Sequence, residues 1–347
     1  MNHFNFYNKK DILSYTRIRR FETKIGEKIN CISGNASLED ELQQHSAKYI
    51  LFGIPEDIGV KANLGIGGAD SLWNSFLLSF LNIQSNNFLS GGNLLLLGHF
   101  DFKNIMTVIE SNATDPDEKI EAYRHAVNII DDEVENLVKI ISQCKKIPVM
   151  IGGGHNNAYP AIKGAAKGLH KAGSKAVQIN CINLDAHADY RSIEGRHSGN
   201  AFRYAKEDGY LNKYCIIAAH ENYMVQNVWS DITNNPLIDC ITYEDIFIHE
   251  KRNFLQAVAH ATEFTEHNYT GIEVDVDAIE NILSSALTPS GLSPLHARQY
   301  LSYTAAHCKV AYLHICEGAA SLVNGRNDDS TGKLVAYLVS DFIKSME

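Results

Sequence analysis

The sequence predicts an α/β protein built on a mostly parallel sheet, and three observations lead there. Short, continuously apolar runs alternate with longer amphipathic ones along the chain. The apolar runs lack the every-second-residue pattern of a half-exposed strand, as expected for parallel strands covered on both faces. No period of 20 to 50 residues and no low-complexity tract interrupts the alternation, which excludes solenoids and propellers.

Residues 49–52, 94–97, 147–151, 179–184, 215–218, 272–276 and 310–315 read as the strands. The clearest helix is 117–144. Asp115 or Thr114 can cap it, Pro116 suits its first turn, and Ile120, Tyr123, Val127, Ile130, Val134, Leu137 and Ile141 form one apolar stripe. Residues 159–171, 251–266, 294–307 and 332–344 follow the same periodicity. Strand, helix and strand in succession imply right-handed crossovers. No Pro/Ser-rich linker divides the chain, so residues 46–347 are read as one domain, preceded by an N-terminal extension, 1–45.

Composition narrows the function. The 347 residues carry 31 Lys plus Arg against 41 Asp plus Glu, a formal charge of -10. With no basic run longer than Arg19-Arg20 or Lys145-Lys146, nucleic acid is not an expected partner. No apolar run approaches the ~20 residues that span a bilayer. The N-terminus lacks the apolar core of a secretory signal, and a cytoplasmic location is expected. The seven cysteines are scattered and never spaced C-x-x-C, so neither a disulfide framework nor a structural zinc cluster is expected. The 15 histidines beside the acidic excess are more informative, because imidazole and carboxylate together ligate divalent metals.

Ligands on open α/β sheets gather beyond the carboxyl ends of the strands, and several strands here end in metal-ligand types. Gly152-Gly153-Gly154-His155 follows the third predicted strand, and Asp185-Ala186-His187-Ala188-Asp189 follows the fourth. Asp275 and Asp277 lie at the end of the sixth, and Glu317 follows the last. In an extended chain the i, i+2, i+4 spacing turns Asp185, His187 and Asp189 to one side. Four carboxylates in one cleft require compensation. Two divalent cations about 3.5 to 4 Å apart would supply it, and would lower the pKa of a shared water toward neutrality. Oxygen-rich ligation with one imidazole per ion suits Mn²⁺ best, ahead of Zn²⁺, Co²⁺ or Mg²⁺. Each motif alone is matched by a bland reading as a cap, a loop or a salt-bridged strand end. The triple glycine does not make G-x-G-x-x-G, so a dinucleotide loop is disfavoured.

These segments resemble the signatures of the ureohydrolase superfamily, which contains arginases, agmatinases, guanidinobutyrases and formimidoylglutamases. Its GGDH or GGGH, DAHxD and SxDxDxxDP segments have counterparts here in order, from about residue 49 onward. The resemblance implies a three-layer αβα domain with a central, mostly parallel sheet of about eight strands. It also implies two Mn²⁺ ions, one held by His155, Asp185, Asp189 and Asp275, the other by Asp185, His187, Asp275 and Asp277. A homo-oligomer is the family's habit. GGGH rather than GGDH, and Tyr190-Arg191 after the aspartate cluster, are similar to the formimidoylglutamase branch. His197-Ser198-Gly199-Asn200 is similar to that branch too, and Phe202 stands where arginases place a histidine. The chain departs from the pattern at Glu273, where Ser is usual, at Glu280-Asn281 in place of Asp-Pro, and at Asn156. Glu273 shares a strand face with Asp275 and Asp277, and reads as a salt bridge beneath the site or an acid behind it.

The expected reaction is hydrolysis of an amidine or guanidine C–N bond in a small molecule, N-formimidoyl-L-glutamate first. Asp189 would orient the attacking hydroxide and Glu317 would face the cationic nitrogen, as their family counterparts do. The two carboxylates of that substrate call for guanidinium donors. Arg191 is the leading candidate, with Asn200 and Arg203 behind it, and its competing role is a surface pair with Glu194. Lys61 and Asn63, in the glycine-rich segment after the first strand, are further candidates for substrate contact, equally readable as part of a structural turn. His99 and Asp101 form an H-x-D pair that the completed ligand set leaves unused. The alternatives are an agmatinase or guanidinobutyrase releasing urea, a non-catalytic metal-binding relative, and a metal-dependent phosphoesterase, for which basic groups are few.

Overall fold

In a computed structural model, residues 2–170 and 177–347 are described. Among them, nine strands form one sheet: β1 (Phe4–Phe6), β2 (Tyr49–Gly53), β3 (Leu94–Phe100), β4 (Ile147–Ile151), β5 (Ile179–Leu184), β6 (Leu211–Ala219), β7 (Ile238–Thr242), β8 (Tyr269–Asp275) and β9 (Lys309–Cys316). Their order across the sheet is β1-β3-β2-β4-β9-β8-β5-β6-β7. Eight run parallel, and β1 pairs antiparallel with the end of β3.

The apolar runs form strands because both faces of the sheet are covered. Leu51, Leu96, Val149, Ile182, Ile217 and Leu313 pack on one face, with helices Leu72–Phe80, Phe254–Phe264, Pro294–His307 and Ser330–Met346. Ile50, Leu95, Met150, Cys181 and Ile216 pack on the other, with Pro116–Gln143 and Ala158–Leu169. The result is a single three-layer αβα domain.

Helix Pro116–Gln143 starts where Asp115 accepts from the Asp117 and Glu118 amides, with Pro116 in its first turn. The helix expected at 251–266 begins only at Phe254, because Asn253 and Gln256 form a reciprocal cap there. The helix expected at 159–171 is Ala158–Leu169, and the last residue of that expectation, 171, lies outside the described residues.

Two strands escape the apolar-run criterion. Among the described residues β7 is the sheet edge, paired with β6 alone, and Asp239 and Cys240, one on each face, are both only half-buried. β1 has three residues and is held by pairing with residues 98–100. Residues 1–45 also place Ile12, Ile25 and Ile29 in the core, and Asn30 bridges to β3 through its backbone.

The topology creates the functional cleft. The chain passes from β4 to β5 across a gap that β9 and β8 later fill, so the carboxyl ends of β4, β9, β8 and β5 lie side by side.

Candidate metal centre

The turn after β4 carries the first candidate ligand. Gly152 and Gly153 adopt φ of +90° and +78°. A Cβ at Gly153 would lie 2.5 Å from Asn157 Nδ2 and 2.8 Å from the Ile54 carbonyl, so only glycine fits. Glu56 secures the turn from beneath. Its carboxylate accepts from the amides of Gly154, Ile58 and Gly59 and from the side chains of Asn156 and Asn157. The His155 amide then donates to Glu317 Oε1 at 2.7 Å.

With its backbone fixed from both sides, the fully buried His155 points Nδ1 at three carboxylates. Asp189 Oδ2 is 2.8 Å away, and Asp185 Oδ2 and Asp275 Oδ2 are each 3.2 Å away. A second group adjoins it, with His187 Nδ1 3.3 Å from Asp277 Oδ2 and 3.6 Å from Asp185 Oδ1. Asp185 belongs to both groups. The structure therefore brings together His155, Asp185, His187, Asp189, Asp275 and Asp277.

The local geometry differs from the extended array expected of the fourth predicted strand. β5 ends at Leu184, the chain bends at residues 186–187, and Asp189 takes φ of +44°. That bend sends Asp185 and Asp189 toward His155 and His187 toward Asp277. β8 likewise stops at Asp275, whose Oδ1 accepts the Asp277 amide at 2.9 Å and turns the chain. Glu317, at φ +60°, is the other site residue in the left-handed region. Such conformations carry strain of about 1 to 3 kcal/mol and persist where the surroundings over-determine them.

The donor set fits a pair of divalent cations. Among the described residues, His155 Nδ1 is crowded by three oxygens without good hydrogen-bond geometry to any of them, and the buried Asp277 Oδ1 is also unpartnered. One imidazole proton cannot serve three acceptors, whereas a cation at their common focus can. The electrostatics agree. Burial and the Asp185 charge push Asp189 up to about 6. Burial, then Asp277 and Asp185, drive Asp275 well above the usual carboxylate range. These carboxylates do not ionise together unless positive charge joins them.

A cavity of about 540 Å³ opens onto this cluster, with His187, Asp189, Asp275, Asp277 and Glu317 at its floor. Glu317 is buried, accepts from Ser285 Oγ, and is raised to about 8 by burial and by Asp277 and Asp189. Arg191 stands in the wall, donating to Asn63 Oδ1 and to Glu194 Oε1, each at 2.9 Å.

Asn200 and Arg203 are not among the lining residues. Asn200 is fully buried and ties residues 192–197 together through Gly195, His197 and Arg196. Arg203 lies 4.1 Å over the Tyr190 ring and pairs with Asp231. Lys61 is paired with Asp57 at 3.3 Å. His99 packs on Tyr7, and Asp101 caps the Lys103 amide.

Sequence reasoning missed Tyr223, which stacks on His187 with ring centroids 5.1 Å apart, and Ser285. Neither has a motif to announce it. It also missed Arg196, buried and bidentate on Asp131 with distances of 2.8 and 3.3 Å, which donates to the Asn156 carbonyl beside His155. The signal available was on the other partner: Asp131 lies four residues after Val127 and three before Val134, on the buried stripe of helix Pro116–Gln143.

A formimidoylglutamase of Streptococcus pyogenes serotype M3 is 25% identical over 207 residues, 57% of this chain and 61% of that protein, so the match spans under two thirds of the relative. The formimidoylglutamase structure from Bacillus subtilis superposes with a TM-score of 0.73 at 19% identity, covering 95% of this chain and 94% of that one. A Trypanosoma cruzi formiminoglutamase with a Mn²⁺ pair gives a TM-score of 0.69 at 18% identity, covering 93% and 98%. These likenesses establish the three-layer fold. The Arginase family profile matches residues 47–344, from β2 to the last helix and across every strand end described above, and the chain therefore belongs to the arginase family.

Proposed function

We propose that this chain is a binuclear metal-dependent hydrolase that converts N-formimidoyl-L-glutamate and water to L-glutamate and formamide. The observation that carries the reading is the double cluster of His155, Asp185, Asp189 and Asp275 with His187 and Asp277, facing a cavity that also holds Glu317 and Arg191. The resident ions are two Mn²⁺. His155, Asp185, Asp189 and Asp275 would hold one, and Asp185, His187, Asp275 and Asp277 the other. When bound, such a pair supplies hydroxide at neutral pH and positive charge beside the reacting carbon.

The chain's own residues do the rest. Asp189, at the cavity floor, accepts a hydrogen bond from the nucleophile and orients it toward the planar amidine carbon. Glu317 sets a buried carboxyl group against the cationic nitrogen. Arg191, already aimed into the cavity by Asn63, takes a substrate carboxylate. Water adds to the carbon, the bond to the glutamate nitrogen breaks, and that nitrogen leaves carrying a proton. The curated relative and both structural neighbours named above are formimidoylglutamases, which supports this substrate.

A second reading draws on Glu194, which lines the same cavity. Released from Arg191, it would pair with the ammonium of agmatine, and the product would be urea. We further place the protein in the cytoplasm as a homo-oligomer acting on a small molecule, without nucleic acid or membrane. Seven free cysteines fit a reducing compartment.

Mn²⁺-loaded protein should release formamide from N-formimidoyl-L-glutamate and no urea from agmatine, guanidinobutyrate or arginine. Arg191→Met should raise KM by ~10- to 100-fold with kcat nearly kept, the loss of about 1.5 to 3 kcal/mol of charge-assisted hydrogen bonding. Turnover of agmatine alone, or an unchanged KM in the variant, refutes the assignment.

A further inference from the structure

β8 and β9 pair in register so that Gly271 lies opposite Tyr312, Glu273 opposite His314, and Asp275 opposite Cys316. Alternate residues share a face, so a polar ladder runs from the protein interior up to Asp275. Glu273 is its centre. Tyr312 donates to Glu273 Oε1 at 2.7 Å, and His314 Nδ1 is 2.7 Å from Glu273 Oε2. His314 Nε2 faces the Gly152 carbonyl at 3.4 Å, so both of its ring nitrogens look onto acceptors. The Tyr312 ring occupies space that a Cβ at Gly271 would fill, since its hydroxyl lies 2.5 Å from that position. All of these side chains are fully buried.

A carboxylate in such a place costs several kcal/mol in lost hydration unless it is paired, and apolar packing would serve stability as well. The ladder leaves one direction unused. Glu273 Oε2 lies 3.6 Å from His155 Nε2, and among the described residues that buried nitrogen has no hydrogen-bond partner. An imidazole that offers Nδ1 to a cation carries its proton on Nε2, and a buried N–H needs an acceptor.

We propose that Glu273 is a positioning residue for His155, receiving its Nε2–H and so keeping the Nδ1 lone pair aimed at the carboxylates of Asp185, Asp189 and Asp275, while Tyr312 and His314 fix the Glu273 headgroup. The inference rests on the reading of His155 as a metal ligand. Closing the 3.6 Å gap needs a shift of about half an ångström to reach ordinary hydrogen-bond length. Glu273 touches neither the cavity nor the substrate, so its influence passes entirely through the histidine.

The test is Mn²⁺ titration of metal-free protein, read by competition with a chelating dye and by the EPR signal of free Mn²⁺. Wild-type protein should bind two ions. Glu273→Gln keeps the side chain's shape and should weaken one of the two sites by ~10- to 100-fold, the range for supports of ligating histidines, while the other stays within a few-fold. The metal-free melting temperature serves as the structural control. Unchanged Mn²⁺ affinities in Glu273→Gln, with or without a lower metal-free melting temperature, overturn the proposal, as does an equal loss at both sites. If that variant does not fold, Tyr312→Phe frees Glu273 Oε1 and should weaken the same site by several-fold, and an unchanged affinity there overturns the proposal equally. Wild-type protein that binds no Mn²⁺ removes the metal centre itself, a failure seen before any variant is compared.

Discussion

Asp185 is the residue whose loss should separate metal binding from folding. It joins both ligand groups, accepts the His187 amide on Oδ1 at 2.6 Å, and accepts Asn183 Nδ2 on Oδ2 at 2.8 Å. Asp185→Asn keeps the shape and removes the charge. If wild-type protein binds two Mn²⁺ as proposed, the metal at a hundredfold excess over Kd should stabilise it by about 2.7 kcal/mol per site, hence about 5 kcal/mol for two. An unfolding entropy of roughly 2.1 cal/mol/K per residue makes 1 kcal/mol worth about 1.4 °C in a chain of this length, so the melting temperature should rise by about 7 °C. In the variant one amide N–H must face either the His187 amide or Asn183 Nδ2. That mismatch costs about 1 to 3 kcal/mol, and relief of repulsion from Asp189 and Asp275 is set against the lost attraction of His155 and His187. The metal-free melting temperature should therefore fall by only about 1 to 4 °C. With both sites weakened a hundredfold or more, the Mn²⁺-dependent rise should shrink to about 1 °C or less. Scanning calorimetry with chelator and with Mn²⁺ measures all four values. A variant that gains as much from Mn²⁺ as wild type would refute the assignment of Asp185 as a shared ligand.

Glu317 should govern the pH dependence of the metal-free protein. Its carboxyl is raised to about 8 by burial and by Asp277 and Asp189, against 4.5 ordinarily. Between those values the folded state holds a proton that the unfolded state has released. Its contribution is complete below about 4.5 and is lost as pH rises through 8, at up to about 1.4 kcal/mol per pH unit. Urea denaturation in chelator from pH 5.5 to 7.5 should show a shallower decline for Glu317→Gln, and parallel slopes would sink the idea. Arg196→Met should destabilise by about 3 to 5 kcal/mol, because Asp131 is left buried and unpaired. Asp131→Leu combined with it should recover much of that loss in the same denaturation assay. If the double variant is no more stable than the single, the pairing argument fails.

What the sequence could disclose followed from how local each cause is. β4, β5, β8 and β9 were legible because both of their faces are buried, and the same condition wrote the ligands next to them, at the strand ends. β7 was not, since an edge strand with Asp239 in it has no continuous apolar run. Asp185, His187 and Asp189 could be named, but the bend that distributes them between two groups depends on the left-handed Asp189 and on partners 30 to 90 residues away. Arg191 led Asn200 and Arg203 in sequence only by its place directly after the aspartate cluster. Only packing separates them: Arg191 faces the cavity, Asn200 closes a loop, and Arg203 turns outward to Asp231. Tyr223, Ser285 and Arg196 act through contacts across the fold, and nothing in their neighbourhoods marks them.

The electrostatic balance ties the fold to the proposed chemistry. Four ligand carboxylates converge where the sheet's crossing order leaves four strand ends together, and Glu317 adds a fifth at the cavity floor. The two divalent ions proposed above would bring four positive charges, enough for these four carboxylates and none to spare for Glu317. With the ions in place Glu317 therefore keeps a preference for a cationic partner, and the amidinium of a substrate is such a partner while a phosphate is not. Glu273 lies outside this account because it faces Tyr312, His314 and the far side of the His155 ring, away from the carboxylates of the cluster. On the proposed reading the site would select at both ends: Glu317 for the cationic head of the substrate, and Arg191 for a tail of opposite charge.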